Sequence, residues 1–178
     1  MSLNNGLKVA EIVREAGGRI IGRTRLQKIV YLFSVTGLET GFAFSYKHYG
    51  PYSEDLAVAA RQGSLLGYLS ETEQTAAWGG SYSIYTVDPS ASPEAASPSG
   101  SLLEARQKLA KLAASADAVE LELAATAVFL AKEGIEDPWK ETKRRKPEKA
   151  VNERVKGAKE LLRQLRAIDA PVPLPTTV

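Results

Sequence analysis

Residues 24–37 read TRLQKIVYLFSVTG, and residues 42–53 read FAFSYKHYGPYS. In the first stretch Leu26, Ile29, Val30 and Phe33 recur at steps of three and four, which places them on one face of a helix. Thr24 with Gln27 has the spacing of a capping box, and Gly37 supplies a stop. The second stretch is aromatic and roughly alternating over residues 42–49, the pattern of a half-buried strand. Gly50-Pro51 is expected to end that strand, because proline cannot donate to a ladder. Ser53 then caps another helix, whose first turn carries Glu54 and Asp55 beside the positive end of the helix dipole and which runs to about Gly63 or Gly67.

Upstream, Leu3, Leu7, Ala10, Val13 and Ala16 predict a helix that stops at Gly17-Gly18, and these glycines with Gly22 read as turn residues around Ile20-Ile21. Downstream, residues 68–78 and 81–87 read as two strands joined by a tight Gly79-Gly80 turn. Three helices followed by a hairpin predict a winged-helix-like part with a small antiparallel sheet over residues 1–88. Residues 89–101, PSASPEAASPSGS, contain no Leu, Ile, Val or aromatic side chain and read as a linker or long surface loop.

Residues 102–169 read as helical throughout. Leu102, Ala105, Leu109 and Leu112 mark one helix. Asp117 with Glu120 caps a more apolar one that reaches Glu133-Gly134, and Asp137-Pro138 opens a short helix containing Trp139 that Pro147 interrupts. A last helix from about Pro147 to Ile168 carries Val151, Val155, Ala158, Leu162 and Leu165, a stripe that fits internal packing and a homodimer seam equally well. Residues 170–178, with proline at every second position from Pro171 to Pro175, read as an extended, solvated tail. The fold class expected is α+β, mostly α, with the first part packed against the C-terminal helices as one unit.

The 178 residues are 44% hydrophobic and 25% charged, a globular composition. Zero cysteines exclude disulfides, thiolate nucleophiles and thiolate metal sites, and a single histidine excludes His-rich zinc sites and most acid–base triads. No cofactor-binding signature is present: there is no Walker loop and no GxGxxG turn. The longest apolar run, 123–131, is less than half of the roughly 20 residues a membrane helix needs, and no basic-then-apolar leader opens the chain. The sequence therefore reads as soluble and cytoplasmic, with no membrane partner. The net charge of +2 is too balanced to announce nucleic acid. The positive excess lies late: residues 1–100 hold 8 basic and 9 acidic side chains, and residues 101–178 hold 15 and 12.

His48 is the only imidazole, and a general base needs a proton within reach and a group to orient it, so a hydrolase centred on His48 is the least favoured class. Lys140, Lys143, Arg144, Arg145, Lys146 and Lys149 form the densest basic run, suited to a phosphate or an acidic surface, or simply to a solvated helix junction. Arg19, Arg23, Arg25 and Lys28 form a second basic group, but the gap 17–23 is longer than a helix-turn-helix turn, and Glu54 and Asp55 would meet phosphates at the third helix. Phe42, Phe44, Tyr46, Tyr49 and Tyr52 are the most unusual local feature. Alternate side chains of a strand face outward, and exposed tyrosines are preferred interface anchors.

The stretch TRLQKIVYL at 24–32, followed by YKHYGPYS at 46–53, resembles the "LQKLVYL … YGPYS" pattern of YwgA-like bacterial proteins and of the broader SocA-like, Panacea antitoxin-domain family. Residues 121–133 with Asp137-Pro138-Trp139 and Lys146-Pro147 are similar to the helical end of YwgA-type members. The resemblance implies a mostly helical fold with a small winged-helix-like sheet and no known enzymatic activity. For Panacea members it implies neutralisation of a toxin by direct protein binding.

The function expected is a noncatalytic protein-binding module, antitoxin-like or regulatory. Tyr46, His48, Tyr49 and Tyr52 are its anchors, with Arg25 and Lys28 as nearby polar contacts, and Trp139, Lys143, Arg144 and Arg145 form a second candidate surface. The alternative is a winged-helix DNA-binding transcriptional regulator. Strong salt dependence would mark it, since each neutralised phosphate contributes about 0.9 to the slope of log affinity against log salt.

Overall fold

In a computed structural model that describes residues 4–39, 41–88, 90 and 98–178, two helices are buried on nearly every side and carry the rest. One is α2 (Arg23–Val35), in which every residue from Leu26 to Phe33 is buried, including Gln27 and Lys28. The other is α5 (Ala118–Lys132), buried from Leu121 to Val128 and again at Leu130. Helices without a polar face form only where neighbours cover them all round. α2 packs against α4 (Ser101–Ser115) and α5, while α6 (Pro138–Arg145) and α7 (Asn152–Arg166) pack on α5. On the other side α1 (Asn4–Glu15) packs against α3 (Glu54–Leu65) and α4. The result is α+β and mostly α: seven helices and two small antiparallel sheets among the described residues.

The three-stranded sheet has the order β1-β5-β4, built from β1 (Arg19–Ile21), β4 (Ser70–Thr75) and β5 (Ser81–Thr86). β5 is central, with Ile20 opposite Tyr85 on one side and Glu71 opposite Tyr85 on the other. β1 was not legible as a strand: of its three residues only Ile20 is buried, too short a run for alternation to register. The β4–β5 connection is longer than a two-residue Gly79-Gly80 turn. Residues 76–80 form the loop, closed by Ala76 N–H donating to the Gly80 carbonyl at 2.7 Å, and only Gly79 of the pair has positive φ.

The second sheet is a hairpin of β2 (Ser45–Lys47) and β3 (Gly50–Tyr52), with Tyr46 opposite Pro51. Residues 42–49 are therefore not one strand, and Gly50-Pro51 begins a strand rather than ending one. His48 and Tyr49 make the turn, and Gly50 follows it at φ +86°.

Caps agree with the sequence where a carboxylate or hydroxyl precedes the helix. Ser53 Oγ accepts from Leu56 N–H at 3.2 Å, Asp117 from Val119 and Glu120, and Asp137 from Lys140. Thr24 does not cap: α2 starts one residue earlier behind Gly22, with no side-chain cap. α7 starts at Asn152 rather than Pro147, since residues 147–150 form a turn on the Lys146 carbonyl. Its stripe of Val155, Ala158, Leu162 and Leu165 is buried within the chain and packs on α5, so it is no homodimer seam, while Val151 lies outside it and is exposed.

Residues 170–178 are mostly exposed, as an extended tail should be, but they are docked at defined points. Leu174 is buried, Val172 N–H donates to the Thr36 carbonyl at 2.9 Å, and Arg166 donates to the carbonyls of Pro175 and Val178. Of the stretch 89–101, only Ser90 and residues 98–101 are described, and Ser101 already belongs to α4. No helix among the described residues is long and apolar enough to cross a membrane.

Gly50 joins the hairpin to α5. A Cβ built there would sit 2.6 Å from Thr126 Oγ1, in a backbone conformation that L side chains rarely adopt. Gly50→Ala should destabilise the protein by about 3 kcal/mol in urea unfolding, from backbone strain and the steric clash together. Adding Thr126→Ala should recover part of that loss. Equal stability of Gly50→Ala and the wild type would show that the hairpin does not press on α5.

Candidate functional site

The backbone from His48 to Ser53 is gripped from below by three side chains. The Gln27 amide reads Ser53 twice, with Nε2 donating to the Ser53 carbonyl at 2.9 Å and Oε1 accepting from its N–H at 2.8 Å. Lys28 Nζ donates to the Pro51 carbonyl at 2.8 Å. From α6's far end, Lys146 Nζ donates to the His48 carbonyl at 3.0 Å and to Glu122 Oε1 at 2.7 Å. Lys149 adds 2.9 and 3.0 Å bonds to the same Glu122 carboxylate. Lys28, Lys146 and Glu122 are all buried, which makes their hydrogen bonds expensive to break.

Lys28 is buried with its amine on a backbone carbonyl rather than on a carboxylate. Burial pushes the Lys28 ammonium down to about 7, Lys146 and Lys149 push the same way, and Glu122 opposes them. A neutral amine still donates to Pro51, so the grip survives deprotonation.

Above this base the hairpin presents its rings. Tyr46 lies against Phe129 with centroids 5.7 Å apart and has the Arg145 guanidinium 4.6 Å over its other face. Tyr49 meets His48 edge-on at 4.7 Å and carries Lys149 at 4.8 Å, while Lys47 covers Tyr52 at 4.9 Å and pairs with Glu54. Each tyrosine of the hairpin thus has a cation on one face. His48 and Tyr49 are exposed, and Tyr46 and Tyr52 are half-buried.

The structure places Tyr46, His48, Tyr49 and Tyr52 on the β2–β3 hairpin with Arg145 over Tyr46 and Arg144 beside Arg145 on Glu141, and it turns Lys28, Arg25 and Trp139 away from this surface. Lys28 is beneath that corner, 1% exposed, and cannot touch a partner while the fold is intact. Arg25 turns away to hold the end of α4, donating to the Ala113 and Ala116 carbonyls at 3.2 and 2.5 Å. Trp139 is buried with Lys159 over its ring, so it is packing rather than surface. Lys143 and Arg144 are exposed on α6. Arg144 and Arg145 share Glu141, whose carboxyl they hold down at about 2 through their hydrogen bonds. Among the described residues no group of carboxylates or imidazoles is placed to hold a metal ion.

Sequence reasoning missed Glu122 and Thr126, took Gln27 for a capping residue, and read Lys146 and Lys149 as part of a basic run rather than as the buried and half-buried partners of Glu122. A signal was present in Glu122 and Thr126, two polar residues four apart on one face of a helix otherwise apolar through that region.

A hairpin clamped onto two buried helices defines the architecture of this mostly helical α+β protein. No family model matches the chain. It is similar to the protein described as uncharacterized protein YwgA of Bacillus subtilis (strain 168), at 35% identity over 57 residues. The alignment covers 32% of this chain and 34% of that relative, so the chain matches about a third of the relative's length. The similarity supports the YwgA-like part of the resemblance.

The depressed Lys28 gives a pH test. The unfolded chain keeps this proton to about 10.5 and the folded chain to about 7, so between those values the unfolded state binds more protons and stability rises with pH. Below about 7 both states are protonated and the cost of the buried charge is present in full. Urea-unfolding free energies across this window should climb less steeply in Lys28→Met than in the wild type. An identical slope would place the shifted group elsewhere.

Proposed function

We propose that the chain is a noncatalytic protein-binding module of regulatory or antitoxin type, acting in the cytoplasm and docking its partner on the corner formed by β2, β3 and the start of α3. The observation that carries this reading is Tyr49. It is half exposed at the tip of a turn whose neighbouring carbonyls, at His48 and Pro51, are fixed by buried lysines. An aromatic anchor held on a rigid base loses little conformational freedom on binding, which is what concentrates affinity in a few residues. His48 lies edge-on to it and Lys149 covers its ring, while Tyr46 with Arg145 and Tyr52 with Lys47 flank the turn on the two strands. A toxin is the partner class that the likeness to Panacea antitoxin proteins brings forward.

A winged-helix DNA-binding regulator is the second reading. The chain order α1-β1-α2-α3-β4-β5, broken between α2 and α3 by the β2–β3 hairpin and with β5 between β1 and β4, supports it. Charge opposes it. Glu54 and Asp55 are exposed on the first turn of α3, Glu73 is exposed on β4, and Arg23 is already paired with Glu71 at 3.1 Å.

A tagged full-length chain, drawn from nuclease-treated lysate of its source cells at moderately high salt, should retain one near-stoichiometric protein. Tyr49→Ala should weaken that complex by about 2 kcal/mol or more and change unfolding stability by only about 0.5 kcal/mol. Retention of nucleic acid alone, and only at low salt, would replace the protein-binding reading with the DNA one.

A further inference from the structure

Beside Tyr46 lies an open groove of about 510 Å³, lined by Phe44, Tyr46, Phe129 and Ile135 with Arg145 and Glu133 among its walls. Its floor is firm. Phe44 packs edge-on to Tyr31 at 5.2 Å, Tyr31 and Tyr46 both rest on Phe129, and Leu130 beneath is buried. A space of this size takes one large apolar side chain with the backbone on either side.

The charges in the wall say what flanks that side chain. Arg145 reaches Glu141 at 2.7 Å, but the same carboxylate is bound by Arg144 through two bonds of 2.8 and 2.7 Å. Two guanidiniums therefore share one anion, and Arg145 can turn to an incoming carboxylate without leaving Glu141 unpaired. The Tyr46 ring already holds that guanidinium in place, so little ordering is left to do on binding. Glu133, the C-cap of α5, makes no ion pair among the described residues and offers a carboxylate to a cation.

Resting on the protein-binding reading, we propose that this groove takes an extended segment of the partner protein, in which a large apolar side chain lies between an acidic residue for Arg145 and a basic residue for Glu133. The partner's identity then resides in a short linear stretch, and the tyrosines at the hairpin tip contact its surroundings.

A phage-displayed library of random dodecapeptides, selected on the full chain, tests this directly. Enriched peptides should place an aromatic or branched aliphatic residue between opposite charges. Synthetic peptides from that set should bind at least about ten-fold more weakly to Arg145→Glu and to Ile135→Glu, both checked for an unchanged melting transition. Replacing the peptide's acidic residue by lysine should restore binding to Arg145→Glu. Should either variant fail to fold, Glu133→Lys reads the opposite wall in the same way. Absence of enrichment overturns the proposal, as does a dimer of the free chain that Ile135→Glu dissociates, which would give the groove to a second copy. Peptides bound equally by wild type and variants overturn the groove while leaving the tyrosine corner's role standing, because that rests on Tyr49→Ala.

Discussion

The two-point hydrogen bond between the Gln27 amide and the Ser53 backbone is the constraint on which the rest of the structure depends. It is buried, it spans from α2 to the residue that caps α3, and it satisfies the Ser53 N–H while adding a second donor to the Ser53 carbonyl, which also accepts from Ala57 N–H at 3.2 Å. With Ser53 fixed, Lys28 reaches Pro51 from the next position of the same helix, and Gly50 is pressed against Thr126 of α5. One polar pair inside an apolar helix thus ties the N-terminal helices, the hairpin and the C-terminal helices together.

That arrangement changes the meaning of the two sequence stretches that decide the fold. Gln27, Lys28, Gly50 and Ser53 belong together because of internal hydrogen bonding and close approach, whereas Tyr46, His48 and Tyr49 are what this framework displays. The buried ions are the same device continued. Glu122, Lys146 and Lys149 bring the segment after α6 under the turn, which places Arg145 over Tyr46. Ion pairs of this kind add little net stability when complete, but they fix the position of what they touch.

Much of the fold was legible because periodicity reports burial. The stripe of α2, the Ser53, Asp117 and Asp137 caps, the Gly17-Gly18 stop and the apolar character of α5 all follow from local rules. What was not legible depended on partners distant in the chain. A three-residue strand such as β1 is too short for alternation to show, and at β2 the aromatic alternation ran on through the turn that makes residues 45–52 a hairpin. The tail docks through Leu174 and a bond to Thr36, and no local pattern announces either. At the site, the sequence singled out the tyrosines that the hairpin carries. It could not tell that Lys28, Arg25 and Trp139 point inward, since a long cationic or aromatic side chain can serve either face.

Amide hydrogen exchange at Ser53 tests the clamp most directly, because that N–H donates to Gln27 and to no other group the structure places near it. In Gln27→Leu the Ser53 amide should lose most of its protection while the amides of α5 keep theirs, showing a loosened corner on an intact core. Unchanged protection at Ser53 in a folded Gln27→Leu protein would contradict the claim that α2 holds the corner in place.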